Sequence, residues 1–153
     1  MKYLLSLLLA GAIITQTQAQ DSTKRTIKDV LDARHFTFEP TNTTTGGGRL
    51  KQLTPGYSFR ISGDTLKVYL PYYGRAYNAP INSSEIGYDF TSTDFTYEVA
   101  PGKKKSYNVT IKTKDKSYNT DFNFSVYDDG TAYLRANSAD KQPVSYNGSI
   151  KSN

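Results

Sequence analysis

Between Leu70 and Pro80 the chain reads Leu-Pro-Tyr-Tyr-Gly-Arg-Ala-Tyr-Asn-Ala-Pro, which gathers Tyr72, Tyr73 and Tyr77 around Arg75. Tyrosine rings offer flat π faces and hydroxyls, and a guanidinium pairs with a carboxylate or a phosphate. The group therefore suits a sugar, an aromatic or an anionic ligand. Pro71 and Pro80 bracket it as a loop, and Gly74 is free to take a conformation that other residues avoid. Sites favour loops carried on a rigid scaffold. The same residues also make sense as packing, with the tyrosines over an open barrel end and Arg75 paired with Asp89 or Asp94.

Other chemistry is thinner. The 153 residues include no Cys and a single His, so zinc–thiolate sites, disulfides, cysteine nucleophiles and any site needing two histidines are excluded. No cofactor, metal or catalytic residue is expected. His35 falls where a helical pattern gives way to a strand, and a capping or surface role fits it. Asp128-Asp129-Gly130 lacks the further oxygen ligands and closing Glu of a calcium loop and reads as a turn. Glu85, Asp89, Asp94 and Glu98 are close in sequence, but nearness along a strand does not establish a carboxylate pair, and surface acids are the ordinary reading. No G-x-S-x-G elbow occurs, and Gly46-Gly47-Gly48 leads into an extended run, not a phosphate-cradling helix. The run Lys103-Lys104-Lys105, with Lys112, Lys114 and Lys116, makes one hairpin basic. Lysines there keep sheet edges soluble, with weak contact to an anionic surface as the alternative.

The first residues have a different task. Lys2, then the apolar run Leu4–Ile14 broken only by Ser6, then Thr17 and Ala19 spaced for cleavage, make residues 1–19 a secretory signal cut after Ala19. Eleven helical residues reach about 16 Å, half of the roughly 30 Å hydrocarbon core, so a permanent anchor fits poorly. No later segment is apolar enough to span a bilayer, and an exported chain is an unsuitable nucleic-acid partner. Cleavage removes Lys2 and no acid, so 19 basic and 14 acidic residues become 18 and 14, a net charge of +4.

Residues 20–153 then form a single β domain with an N-terminal helix at about 23–34. Ile27, Val30 and Leu31 mark its apolar stripe, and Ser22 or Thr23 suits its N-cap. Beyond Arg34 the period becomes two. Phe36 and Phe38 alternate until Pro40 stops the run, and Thr41–Gly48 reads as a loop. Tyr57, Phe59 and Ile61, the turn Gly63-Asp64, and Leu66, Val68 and Leu70 make the strongest hairpin. Phe95–Val99, Tyr107–Ile111, Tyr118–Val126, Ala132–Ala136 and Val144–Ile150 continue the alternation. Apolar inner faces and polar outer faces predict an all-β fold: an antiparallel meander of about eight strands curled into a barrel or half-barrel, with a β-sandwich as the alternative.

The order GYSFRISGDTLKVYLPYYGRAYNAP, preceded by a helix ending in ARHFTFE and followed by a β-rich tail, resembles domain of unknown function family 4251. The likeness spans Ile27 to Gly148 and is most specific from Gly56 to Tyr77. It implies a bacterial, envelope-located all-β domain with no established activity, and so no catalytic residues to carry over. Many relatives look like lipoproteins with a cysteine at the cleavage site. This chain has none, which favours a soluble periplasmic form. The expected role is a non-enzymatic domain that binds a small molecule or an envelope protein. The alternatives are an assembly factor using a sheet edge or the basic hairpin, and, last, a carboxylate-dependent hydrolase of envelope polymers.

Overall fold

The computed structural model describes residues 25–44, 47–74, 87–115 and 119–153. The expected signal segment 1–19, Ser22, Thr23, Arg75, Tyr77 and Glu85 lie outside the described residues. Helix α1 (Ile27–Asp32) opens on a reciprocal capping box: the Asp29 amide donates to the Thr26 hydroxyl at 3.2 Å, and the Thr26 amide donates to the Asp29 carboxylate at 3.0 Å. The start of the helix is therefore set by Thr26. Arg34 takes a left-handed φ of +53°, which ends the helix, and its carbonyl accepts the Gly63 amide at 2.9 Å. Val30 and Leu31 are buried as their spacing predicts.

Among the described residues ten strands follow: β1 (His35–Thr44), β2 (Leu50–Gln52), β3 (Ser58–Ser62), β4 (Thr65–Leu70), β5 (Tyr88–Ser92), β6 (Phe95–Pro101), β7 (Ser106–Thr113), β8 (Thr120–Tyr127), β9 (Thr131–Ser138) and β10 (Lys141–Ser152). The expected hairpin is β3–β4, with Gly63 at φ +60° in its two-residue turn. Every pairing among the described residues is antiparallel, and the strand order is β5-β4-β3-β1-β10-β9-β8-β7-β6, with β2 beside β1. The sheet is thus two meanders joined by the first strand: β1 sits between β3 and β10, pairing Phe38 with Phe59 on one side and with Ile150 on the other.

Pro40 does not stop β1. It lies at a register shift opposite Gly148 of β10, where a bulge accommodates a residue without an N–H, and the strand runs on to Thr44. The first part of the expected Thr41–Gly48 loop is therefore strand. Thr43 within it is fully buried and donates its hydroxyl to the Ser145 carbonyl at 3.0 Å.

Phe59 on β3 lies 5.0 Å, ring centroid to centroid, from both Phe122 and Phe124 on β8, although β1, β10 and β9 separate those strands in the sheet. One continuous sheet has curled until its two wings meet, a half-barrel and not a sandwich of two sheets. Phe36 and Phe38 meet Phe124 edge-on at 6.4 and 5.3 Å. Phe36, Phe38, Phe59, Phe122 and Tyr146 are among the largest fully buried side chains. Each such ring contributes about 1.5–3 kcal/mol by burial, and edge-on contacts add about 0.5–1.5 kcal/mol.

Candidate functional site at the tyrosine-rich end

β4 ends at Leu70, and Pro71, with no N–H to donate, leads the chain off the sheet. The departure is held from across the barrel. The Tyr146 hydroxyl on β10 donates to the Pro71 carbonyl at 2.7 Å, and the Tyr72 hydroxyl donates to the Gln142 carbonyl at 3.1 Å. The return is equally tight, since a Cβ at Gly87 would stand 2.8 Å from the Leu70 carbonyl oxygen. Leu70 and Tyr88 are direct partners in the β4–β5 ladder.

Two successive tyrosines go opposite ways. Tyr72 turns inward, 5% exposed, and meets Tyr88 edge-on at 6.2 Å. Tyr73 turns outward, 40% exposed, with the Lys51 ammonium 3.6 Å from its ring centroid. Beside it on the outer face, the rings of Tyr57 and Tyr69 pack at 5.3 Å with a 32° tilt. Burial and the neighbouring Tyr73 raise the Tyr57 pKa. Of the four residues expected to form a site, Tyr72 is thus wall, Tyr73 is surface, and Arg75 and Tyr77 lie outside the described residues.

Behind Tyr72 the turn between β9 and β10 adds polar groups. Tyr88 is 3% exposed, and burial pushes its pKa up to about 12, partly offset by the Ser138 hydroxyl facing it. The two hydroxyls are near neighbours, yet neither completes a hydrogen bond of ordinary geometry. The Lys141 ammonium lies 4.9 Å from the Tyr88 ring centroid and 3.5 Å from the Asp140 carboxylate. Burial works to raise the Asp140 pKa, but the Ser138 hydroxyl and the Lys141 ammonium outweigh it and hold the carboxyl below its ordinary value. Burial also raises Tyr146 well above the usual tyrosine range.

Sequence reasoning missed Tyr88, Ser138, Asp140 and Lys141 because it placed no strand over Tyr88–Ser92 and saw nothing but local connection between the strands ending at Ala136 and starting at Val144. Their convergence depends on the curl, which brings the β9–β10 turn against the start of β5.

The remaining candidates stay apart. His35 is exposed, with Nδ1 2.7 Å from the Ala33 carbonyl oxygen at the end of α1. Asp129 accepts from the Thr131 amide and hydroxyl at 2.8 and 2.7 Å, as a turn aspartate does. Among the described residues no three His, Cys, Asp or Glu side chains gather to hold a metal. Asp89 stands on β5, Asp94 in the turn after it and Glu98 on β6. Lys103, Lys104 and Lys105 are exposed at the β6–β7 tip, the latter two at φ +54° each. An open groove of about 600 Å³ at the β7–β8 hairpin is lined by Thr96, Lys112, Thr113, Lys114, Asp115 and Asp121, among others, and by none of the described tyrosines. No described helix is long and apolar enough to cross a membrane.

No curated protein matches the chain. A crystal structure of a DUF4251 family protein from Bacteroides eggerthii DSM 20697 is similar over 80% of this chain and 83% of that one, with a TM-score of 0.59 at 13% identity. That likeness speaks to the fold. The family model described as domain of unknown function (DUF4251) matches residues 18–150, nearly the whole chain. The half-barrel with its tyrosine-rich end therefore belongs to the DUF4251 family.

Proposed function

We propose that the protein is an exported, soluble periplasmic β-domain that acts by binding, without catalysis, and that the tyrosine-rich end is its recognition surface. The observation that carries this is the contrast between the interior and that end. The half-barrel is filled by packed rings, Phe59 against Phe122 and Phe124 at 5.0 Å, which favours a partner met at the rim over one enclosed in the barrel. At the rim, Tyr69 near the end of β4 and Tyr73 just beyond it expose 45% and 40% of their surface, on either side of the Pro71 carbonyl that the Tyr146 hydroxyl holds. Export rests on the basic, apolar and small-residue pattern of residues 1–19.

A photo-crosslinking side chain placed at position 73 in the native host tests the reading. An adduct formed at 73, and absent when the probe sits at exposed Tyr127 on β8, is the expected result; no adduct at 73 would sink it. Assembly through a sheet edge is the second reading, favoured by β6, which pairs only with β7 among the described residues. It predicts adducts at Glu98 on β6 instead.

A further inference from the structure

We propose that Tyr88, Ser138, Asp140 and Lys141, with the exposed ring of Tyr73 at the same end, form a subsite for a neutral polyhydroxylated ligand, a segment of a glycan. The inference rests on the reading that this end is a recognition surface, and it names the class of ligand taken there.

Three properties of the set point to that class. The first is the pair of buried hydroxyls. Tyr88 Oη and Ser138 Oγ are both buried and, although they face each other and Ser138 faces Asp140, neither completes a hydrogen bond of ordinary geometry, whereas buried polar groups are normally satisfied. Each hydroxyl both donates and accepts, so together they match a group that does the same. A ligand hydroxyl is such a group; a carboxylate only accepts and an ammonium only donates.

The second property is charge. Asp140 and Lys141 are adjacent, 3.5 Å apart, and cancel. An anion entering here meets the Asp140 carboxylate, held ionised, and a cation meets Lys141. Neighbouring hydroxyls of a sugar avoid both conflicts, one donating to Asp140 and the other accepting from Lys141.

The third is placement. The Ser138–Lys141 turn is partly open to solvent, and the Asp140 side chain is 47% exposed. Lys141, with a side chain 17% exposed, sets its ammonium 4.9 Å from the Tyr88 ring centroid at the edge of that turn. Tyr73 follows two residues after Pro71, whose carbonyl accepts the Tyr146 hydroxyl at 2.7 Å, so it belongs to the same end. One side of its ring carries the Lys51 ammonium, and its exposed surface suits the apolar C–H face of a pyranose.

The test uses amide chemical shifts of the full mature chain, titrated in turn with chitotetraose, maltotetraose and cellotetraose, and with tetragalacturonate as the anionic comparator. Shifts at residues 73 and 138–142 with at least one neutral tetrasaccharide, and none with tetragalacturonate, are expected. Tyr88→Phe and Ser138→Ala are each expected to weaken that binding about tenfold with little change in melting temperature, because neither hydroxyl holds a bond of ordinary geometry in the free protein. Should Tyr88→Phe not fold, Ser138→Ala on the partly open turn reads the same contact. Silence with every neutral sugar, a response to tetragalacturonate alone, or unchanged affinity in the variants would overturn the proposal. If crosslinks still form at position 73 while the sugars are silent, the recognition surface survives and the glycan does not. If both fail, both readings fall together.

Discussion

Tyr146 on β10 donates its buried hydroxyl to the carbonyl oxygen of Pro71 at 2.7 Å, across a sequence separation of 75. One bond thereby ties the last strand to the point where the chain leaves β4 for the tyrosine-rich segment. Tyr146→Phe keeps the ring and removes the donor, leaving a buried carbonyl unsatisfied. The expected loss is about 1–3 kcal/mol of unfolding free energy, read by urea denaturation. A variant as stable as the parent would show that the carbonyl is not held by this bond.

Alkaline pH addresses the buried tyrosines together. Burial raises the Tyr88 pKa from 10.0 to about 12, and Tyr97 and Tyr146 move the same way. For an acid whose folded pKa lies above its unfolded value, the folded state holds the proton longer. Its contribution is complete below about pH 10 and declines as pH rises from there through the folded pKa. Stability should therefore fall across about pH 10 to 12, by up to about 1.4 kcal/mol per pH unit for each tyrosine that stays protonated in the fold. Denaturant midpoints across that window check this, and Tyr88→Phe should make the decline shallower. An unchanged midpoint at every pH would contradict the burial of these hydroxyls.

Gly148 is where β10 passes the bulge in β1. A Cβ there would collide with the Glu39 carbonyl oxygen and stand 2.8 Å from both the Glu39 carbonyl carbon and the Pro40 Cα. These are backbone atoms with no rotamer to change, so Gly148→Ala is expected to cost about 1–3 kcal/mol. Gly47→Ala, with nothing within 4 Å of the new methyl group, should stay within about 0.5 kcal/mol of the parent and serves as the control. Equal stabilities for the two variants would refute the close approach.

Export makes a mass prediction. Cleavage after Ala19 leaves a mature chain beginning at Gln20, so intact mass spectrometry of the protein from the host periplasm should find the sequence from Gln20 to Asn153. Recovery of the uncut chain in the membrane fraction would argue for a retained anchor.

The residue pattern was enough to determine the class of fold and most of its strands. Alternation of period two is a local property, and it places Phe59, Ile61, Leu66, Val68 and Leu70 on the buried side of β3 and β4 however the sheet is completed. The Gly63-Asp64 turn is local in the same sense. Tertiary structure decided what depends on partners far along the chain. Pro40 reads as a stop until Gly148 is opposite it, because a bulge exists only between two strands. Tyr72 and Tyr73 look alike in sequence, yet one is wall and the other surface, since the Gln142 carbonyl, seventy positions away, claims the Tyr72 hydroxyl. Ser138, Asp140 and Lys141 acquire Tyr88 as a neighbour only once the curl sets the β9–β10 turn against it. Side-chain chemistry was legible residue by residue; the pairing of β1 with β10, and the curl that follows from it, chose which residues meet.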